Sequence, residues 1–71
     1  MSKADEMFEK LGYDRREELY GKRLLTIKYY NLGNLPEITF NKIEKTVRTT
    51  KNVDIKLLQA INEKVKELRL E

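Results

Sequence analysis

Apolar residues recur along the chain in two rhythms, and the change from one to the other divides it into elements. In "SKADEMFEKLGY" Met7, Phe8 and Leu11 fall on one helical face. Ser2 supplies an N-cap with Asp5 three residues later, and Asp5 and Glu6 place negative charge at the positive pole of the helix dipole. Gly12 suits the left-handed position that ends a helix, and Tyr13 follows to pack back on the last turn.

From residue 23 the period becomes two. In "RLLTIKYY" Leu25, Ile27 and Tyr29 alternate with Leu24, Thr26, Lys28 and Tyr30, and the first, more apolar set is expected to point inward. "NLGNLP" follows as a turn, with Gly33-Asn34 suited to positive φ and Pro36 restricted to a sheet edge or strand start. Ile38 and Phe40 then alternate with Glu37, Thr39 and Asn41, and after "NKIEK" the stretch 46–50 offers Val47 as its inward residue. These two segments read as a hairpin. Upstream, "YDRREELYGKR" reads as a short edge strand or a loop before the turn residue Gly21, and an inward Tyr13 favours the strand.

The helical rhythm returns in "VDIKLLQAINEKVKELRLE". Asp54 is the expected N-cap, and Leu57, Leu58, Ile61, Val65 and Leu68 make an apolar stripe fit to lie across a sheet. Lys56, Gln59, Glu63, Lys66 and Glu67 take the wet side, while Lys64, Lys66 and Arg69 suit the negative pole of the dipole. The expected fold is one small α+β domain spanning 1–71, with two layers in the order α-β-β-β-α. A three-stranded antiparallel meander, with a fourth strand near Tyr13 as the open alternative, packs against an N-terminal and a C-terminal helix.

Composition then narrows the functions. A chain of 71 residues is near the lower limit for an unaided core. Ordering it costs on the order of 100 kcal/mol, so nearly every large apolar residue is needed inside and few remain to line a deep pocket. There is no cysteine or histidine, and the only serine is Ser2. Disulfides, thiolate zinc sites, the commonest general base and the usual nucleophiles are therefore missing, and neither an enzyme nor a bound cofactor or metal is expected. Apolar runs never exceed two residues, so no membrane span or signal sequence is expected, and the reducing cytoplasm is the simplest compartment.

Fifteen Lys and Arg against twelve Asp and Glu give a charge of +3. The excess permits an anionic partner but falls short of a dense basic stripe. Its densest stretch is "TFNKIEKTVRTTKN", residues 39–52. With Val47 inward, Thr46, Arg48 and Thr50 face outward beside Thr26, Lys28 and Tyr30. The candidate binding surface is Lys28, Tyr30, Lys42, Lys45, Arg48 and Lys51, able to hold phosphates and stack a base on Tyr30. Thr and Lys are equally what an exposed antiparallel face and a guarded edge use without any ligand.

Other features have their own plain readings. Of Tyr13, Tyr20, Tyr29 and Tyr30, any that is buried needs a partner for its hydroxyl, so one or two are expected at the core margin with the oxygen in water, and an exposed pair such as Tyr20 and Tyr30 would suit an anchor for a protein partner. The run "DRREE", 14–18, reads as solvated ion pairs rather than catalytic carboxylates. Leu58, Ile61, Val65, Leu68 and Leu70 make an apolar area large enough for a weak homodimer through the last helix, although core packing needs the same residues.

Three stretches, "ADEMFEKLGY" at 4–13, "ITFNKIEKTV" at 38–47 and "LLQAINEKVKEL" at 57–68, resemble a family of small uncharacterised proteins encoded by prophages and phages of Gram-positive bacteria. The resemblance covers about half of the chain and carries no catalytic or ligand residues. It implies a bacterial cytoplasmic setting and a phage-related accessory role. The family is more acidic and often ends its last helix on an aromatic, whereas this chain is basic and ends "RLE". The order α-β-β-β-α is also similar to double-stranded RNA binding domains, but those place a lysine cluster at the start of the last helix, where "NVDIKLLQ" separates Lys51 and Lys56 by Asp54.

The leading expectation is a non-enzymatic, phage-derived accessory protein that binds another protein, a host factor being one class of partner. The alternative is weak, sequence-independent nucleic-acid binding through the basic sheet face and hairpin. A monomer or a weak homodimer fits either.

Overall fold

The computed structural model describes residues 2–69, apart from the side chain of Tyr20. The readings that fall on the Tyr20 side chain and on Leu70 lie outside the described residues. Six elements follow one another: α1 (Lys3–Lys10), β1 (Asp14–Tyr20), β2 (Arg23–Tyr30), β3 (Ile38–Asn41), β4 (Thr46–Thr49) and α2 (Ile55–Leu68). The strands form one antiparallel sheet in the order β1-β2-β3-β4, and the fold is α+β. The segment after Tyr13 is thus a full strand. Its seven residues hide their period because the positions on the helix side, Arg15 and Glu17, are charged. With β1 in place the order is α-β-β-β-β-α, which departs from that of double-stranded RNA binding domains.

Local chemistry sets the helix ends. The Ser2 hydroxyl accepts the Asp5 N–H at 3.0 Å and the Asp54 carboxylate accepts the Leu57 N–H at 2.8 Å, each satisfying an amide that the helix leaves free. Gly12 takes φ 90°, and the Tyr13 N–H returns to the Phe8 carbonyl at 3.0 Å, so the chain leaves α1 directly into the sheet.

Both helices lie on one face of the sheet. Phe8 of α1 and Leu57, Ala60 and Ile61 of α2 share a single core with Tyr13, Ile27, Tyr29, Ile38 and Phe40. Phe8 stacks on Tyr29 with ring centroids 3.9 Å apart and meets Tyr13 and Phe40 edge-on, so one aromatic group ties the first helix to three strand-side rings.

The strict alternation expected for 23–30 breaks at one point. Glu18 lies opposite Thr26 but Leu19 lies opposite Leu24, leaving Leu25 unpaired as a bulge. Ile27 and Tyr29 are buried as expected, whereas Leu24, not Leu25, packs against the core because the bulge shifts the period by one. Val47 shares the helix-side face with Phe40 but stays 37% exposed, since the helix layer does not extend over β4. Leu58 is likewise exposed rather than part of the stripe, and its place on the inner face goes to Ala60 and Lys64. The 31–36 turn does without a positive φ at Gly33. The Asn31 side chain organises it by accepting the Gly33 N–H at 2.6 Å, and a Cβ on Gly33 would come within 2.9 Å of that oxygen. The positive φ falls instead on Lys45, at 56°, in the β3–β4 turn.

Candidate functional site

The sheet face away from the helices carries the polar half of each strand's alternation. Register defines three rows across it. The central row is Arg16, Lys28, Thr39 and Arg48, one residue from each strand. On one side of it lie Glu18, Thr26, Asn41 and Thr46, and on the other Asp14 opposite Tyr30 and Glu37 opposite Thr50. At about 4.8 Å between strands the central row spans about 14 Å.

Of the six candidate residues, the structure brings three together here: Lys28, Tyr30 and Arg48. Lys42 and Lys45 sit in the β3–β4 turn at one end of the sheet. Lys51 lies past the opposite end, where its ammonium donates to the Asn34 carbonyl at 3.0 Å. The expected surface therefore splits into three places. Arg16 joins the face unannounced, because only the pairing of β1 with β2 sets it beside Lys28.

Charges on this face balance. Arg16, Lys28 and Arg48 are matched by Asp14, Glu18 and Glu37, and the Lys28 ammonium lies 3.2 Å from the Glu37 carboxylate. Hydroxyl and amide groups of Thr26, Thr39, Asn41, Thr46 and Thr50 fill the space between. The concentration of like charge lies elsewhere: Arg23 and Lys42 line a cleft of about 320 Å³ with Leu24 and Ile43, near the turn that carries Lys45.

A second polar constellation lies on the helix side, at the β1 end. Asp5 accepts hydrogen bonds from the Tyr29 hydroxyl, from Arg15 at 3.0 Å and from Lys64 at 3.2 Å. Arg15 also pairs with Glu17, and Lys64 lies 3.5 Å from Glu67, whose other oxygen accepts the Ala4 N–H at 2.8 Å. Burial raises the Asp5 pKa, but the hydrogen bonds from Tyr29 and Lys64, the Lys64 charge and the Ser2 hydroxyl together outweigh it and leave it below the ordinary value. Burial first, and then the bond to Asp5 and its charge, push the Tyr29 hydroxyl well up. Lys64, expected to complement the negative pole of the helix dipole, instead turns inward, with its side chain only 5% exposed. It lies three residues beyond Ile61 on the inner stripe, where the fold brings Asp5 and Glu67 into reach.

Tyr13 and Tyr29 are the buried tyrosines, and each finds the partner that a buried hydroxyl needs. The Tyr13 hydroxyl donates to the Pro36 carbonyl at 2.7 Å and the Tyr29 hydroxyl to Asp5, so protein groups hold both. The cleft beside them, about 460 Å³, is lined by Asp5, Phe8, Tyr13, Arg15 and Tyr29 together with Glu9 and Asp14. Its central carboxylate already accepts from three donors and joins α1 to α2 and the sheet. The constellation is a structural clamp. Among the described residues no group of three or more carboxylates is placed to hold a metal ion, and no helix is long and apolar enough to cross a membrane.

Comparison with known proteins returns no match to a family model, a curated protein or a solved structure.

Proposed function

We propose that the chain is a protein-binding module that acts through the open face of its sheet, with Arg16, Tyr30 and Arg48 as anchors. The observation that carries this is the charge balance of the face, a central row of cations flanked by rows that hold Asp14, Glu18 and Glu37. Three cations cross four strands on a face that carries as many carboxylates, Lys28 pairs with Glu37 at 3.2 Å, and Tyr30 stands one pair further along the same face. A phosphate backbone is attracted by net positive potential, which this face lacks, whereas a protein surface with its own mixed charges is matched by alternating sign. Tyr and Arg are also the side chains that most often dominate binding energy between proteins. The paired strands fix their backbones before binding, so the ordering cost falls on the side chains.

The three stretches that resemble small phage-encoded proteins support a bacterial cytoplasmic setting and an accessory role, and the missing catalytic side chains support a role without chemistry. Affinity capture from a bacterial lysate, with and without nuclease, tests this reading. One protein should be retained in both conditions and lost when Tyr30→Ala and Arg16→Glu are combined. Retention that disappears with nuclease would overturn it.

Sequence-independent nucleic-acid binding is the second reading, favoured by the cations at the hairpin end, where Arg23 and Lys42 share a cleft. Binding of that kind weakens steeply with salt, and replacing Lys42 would reduce the slope. Absence of any shift of single or double strands at low salt ends it.

A further inference from the structure

The two edges of the sheet differ in kind. The Lys42 N–H donates to the Leu25 carbonyl at 3.1 Å and the Thr50 N–H to the Glu37 carbonyl at 3.2 Å. Hydrogen-bonded pairs alternate along an antiparallel ladder, so these two bonds fix which backbone groups each strand turns outward. At the β1 edge they belong to Arg15 and Glu17, and at the β4 edge to Val47 and Thr49.

Edge β1 is guarded. The Arg15 and Glu17 side chains pair with each other and Arg15 reaches Asp5, which places fixed charge where an incoming strand would have to lie. Edge β4 has no such guard. Val47 and Thr49 are β-branched and uncharged. Val47 ends the row Glu17, Ile27, Phe40, Val47, so the apolar layer runs out to this edge and stops 37% exposed. On the other face Arg48 ends the central row, and among the described residues it has no carboxylate within ion-pair distance.

We infer that β4 is the pairing edge for a strand of the partner protein, one that alternates apolar and acidic residues. The inference rests on the protein-binding reading and extends the face sideways by one strand. Opposite residues of an antiparallel pair share a face, so an apolar side chain beside Val47 continues the core layer while an acidic one beside Arg48 neutralises the end of the row. A second copy of this chain fits worse. Pairing β4 with itself about Val47 sets the two Arg48 side chains on a diagonal, and pairing about Arg48 sets them directly opposite, like charges in both cases.

The probe is a short soluble peptide of alternating Val and Glu, with a Val and Lys peptide as control, and the readout is amide hydrogen exchange by NMR. With the acidic peptide at nine-tenths occupancy, exchange at Val47 and Thr49 should slow by about tenfold, while the Lys peptide leaves it unchanged. Arg48→Glu should reverse the preference. Equal protection by both peptides, no protection at millimolar peptide, or protection that grows with protein concentration alone would overturn the inference. If the peptide fails to pair while Tyr30→Ala with Arg16→Glu still abolishes capture, the edge is refuted and the face stands. If the peptide pairs while capture ignores those substitutions, the edge stands and the face is refuted.

Discussion

Lys64 of α2 and Asp5 of α1 form an ion pair 3.2 Å long, with side chains 5% and 14% exposed, and with the Ala4–Glu67 hydrogen bond it links the two ends of the chain. Removing one member of such a pair leaves a charge without its partner in a place water reaches poorly. Lys64→Met should therefore lower stability by about 2 kcal/mol, less than a fully buried pair would lose, because Asp5 keeps Arg15 and Tyr29. Combining it with Asp5→Asn should cost less than the sum of the single changes. Urea unfolding of the four proteins measures both.

The same clamp predicts the pH limits. Asp5 has a folded pKa below its unfolded value of 3.8, so its contribution is complete above that value and is lost as pH falls through the folded one. Stability should decline below about pH 4, and Asp5→Asn should flatten that limb. Tyr13 and Tyr29 are shifted the other way, above 10.0. The fold favours their neutral forms, so this contribution is full below pH 10.0 and is lost as pH rises further. Unfolding followed across both limbs checks the signs.

Lys45 adopts a left-handed backbone, φ 56°, and its side chain is exposed. Glycine takes this conformation without the steric penalty, so Lys45→Gly should raise stability by about 0.5 kcal/mol despite its greater freedom when unfolded. Thermal melts of the two proteins test it.

Arg16 is exposed on an outer strand, so Arg16→Glu should leave stability within about 0.5 kcal/mol of the parent. The same substitution should weaken capture of the partner by about tenfold or more if Arg16 is an anchor. Measuring both on one preparation separates binding from folding.

The caps at Ser2 and Asp54, the turn-back at Gly12 and the inward set Ile27, Tyr29, Ile38 and Phe40 were all legible in the sequence, because each depends on residues close in the chain. What was not legible depends on partners far apart. Nothing local marks Leu25 as a bulge, since only its neighbours on β1 skip it. Lys64 reads as a surface cation until Asp5, fifty-nine residues earlier, is folded beside it. The candidate surface was divided for the same reason. Proximity in sequence grouped Lys42, Lys45, Arg48 and Lys51, while strand direction sends them to different places and brings Arg16 next to Lys28 instead.

The most direct test is to map the captured partner's footprint on the isotopically labelled protein by amide chemical shifts. The account predicts that Arg16, Lys28, Tyr30, Thr39 and Arg48 shift together while α1 and α2 stay unperturbed. A footprint on the helices, or one confined to the turns around Arg23 and Lys42, would contradict it.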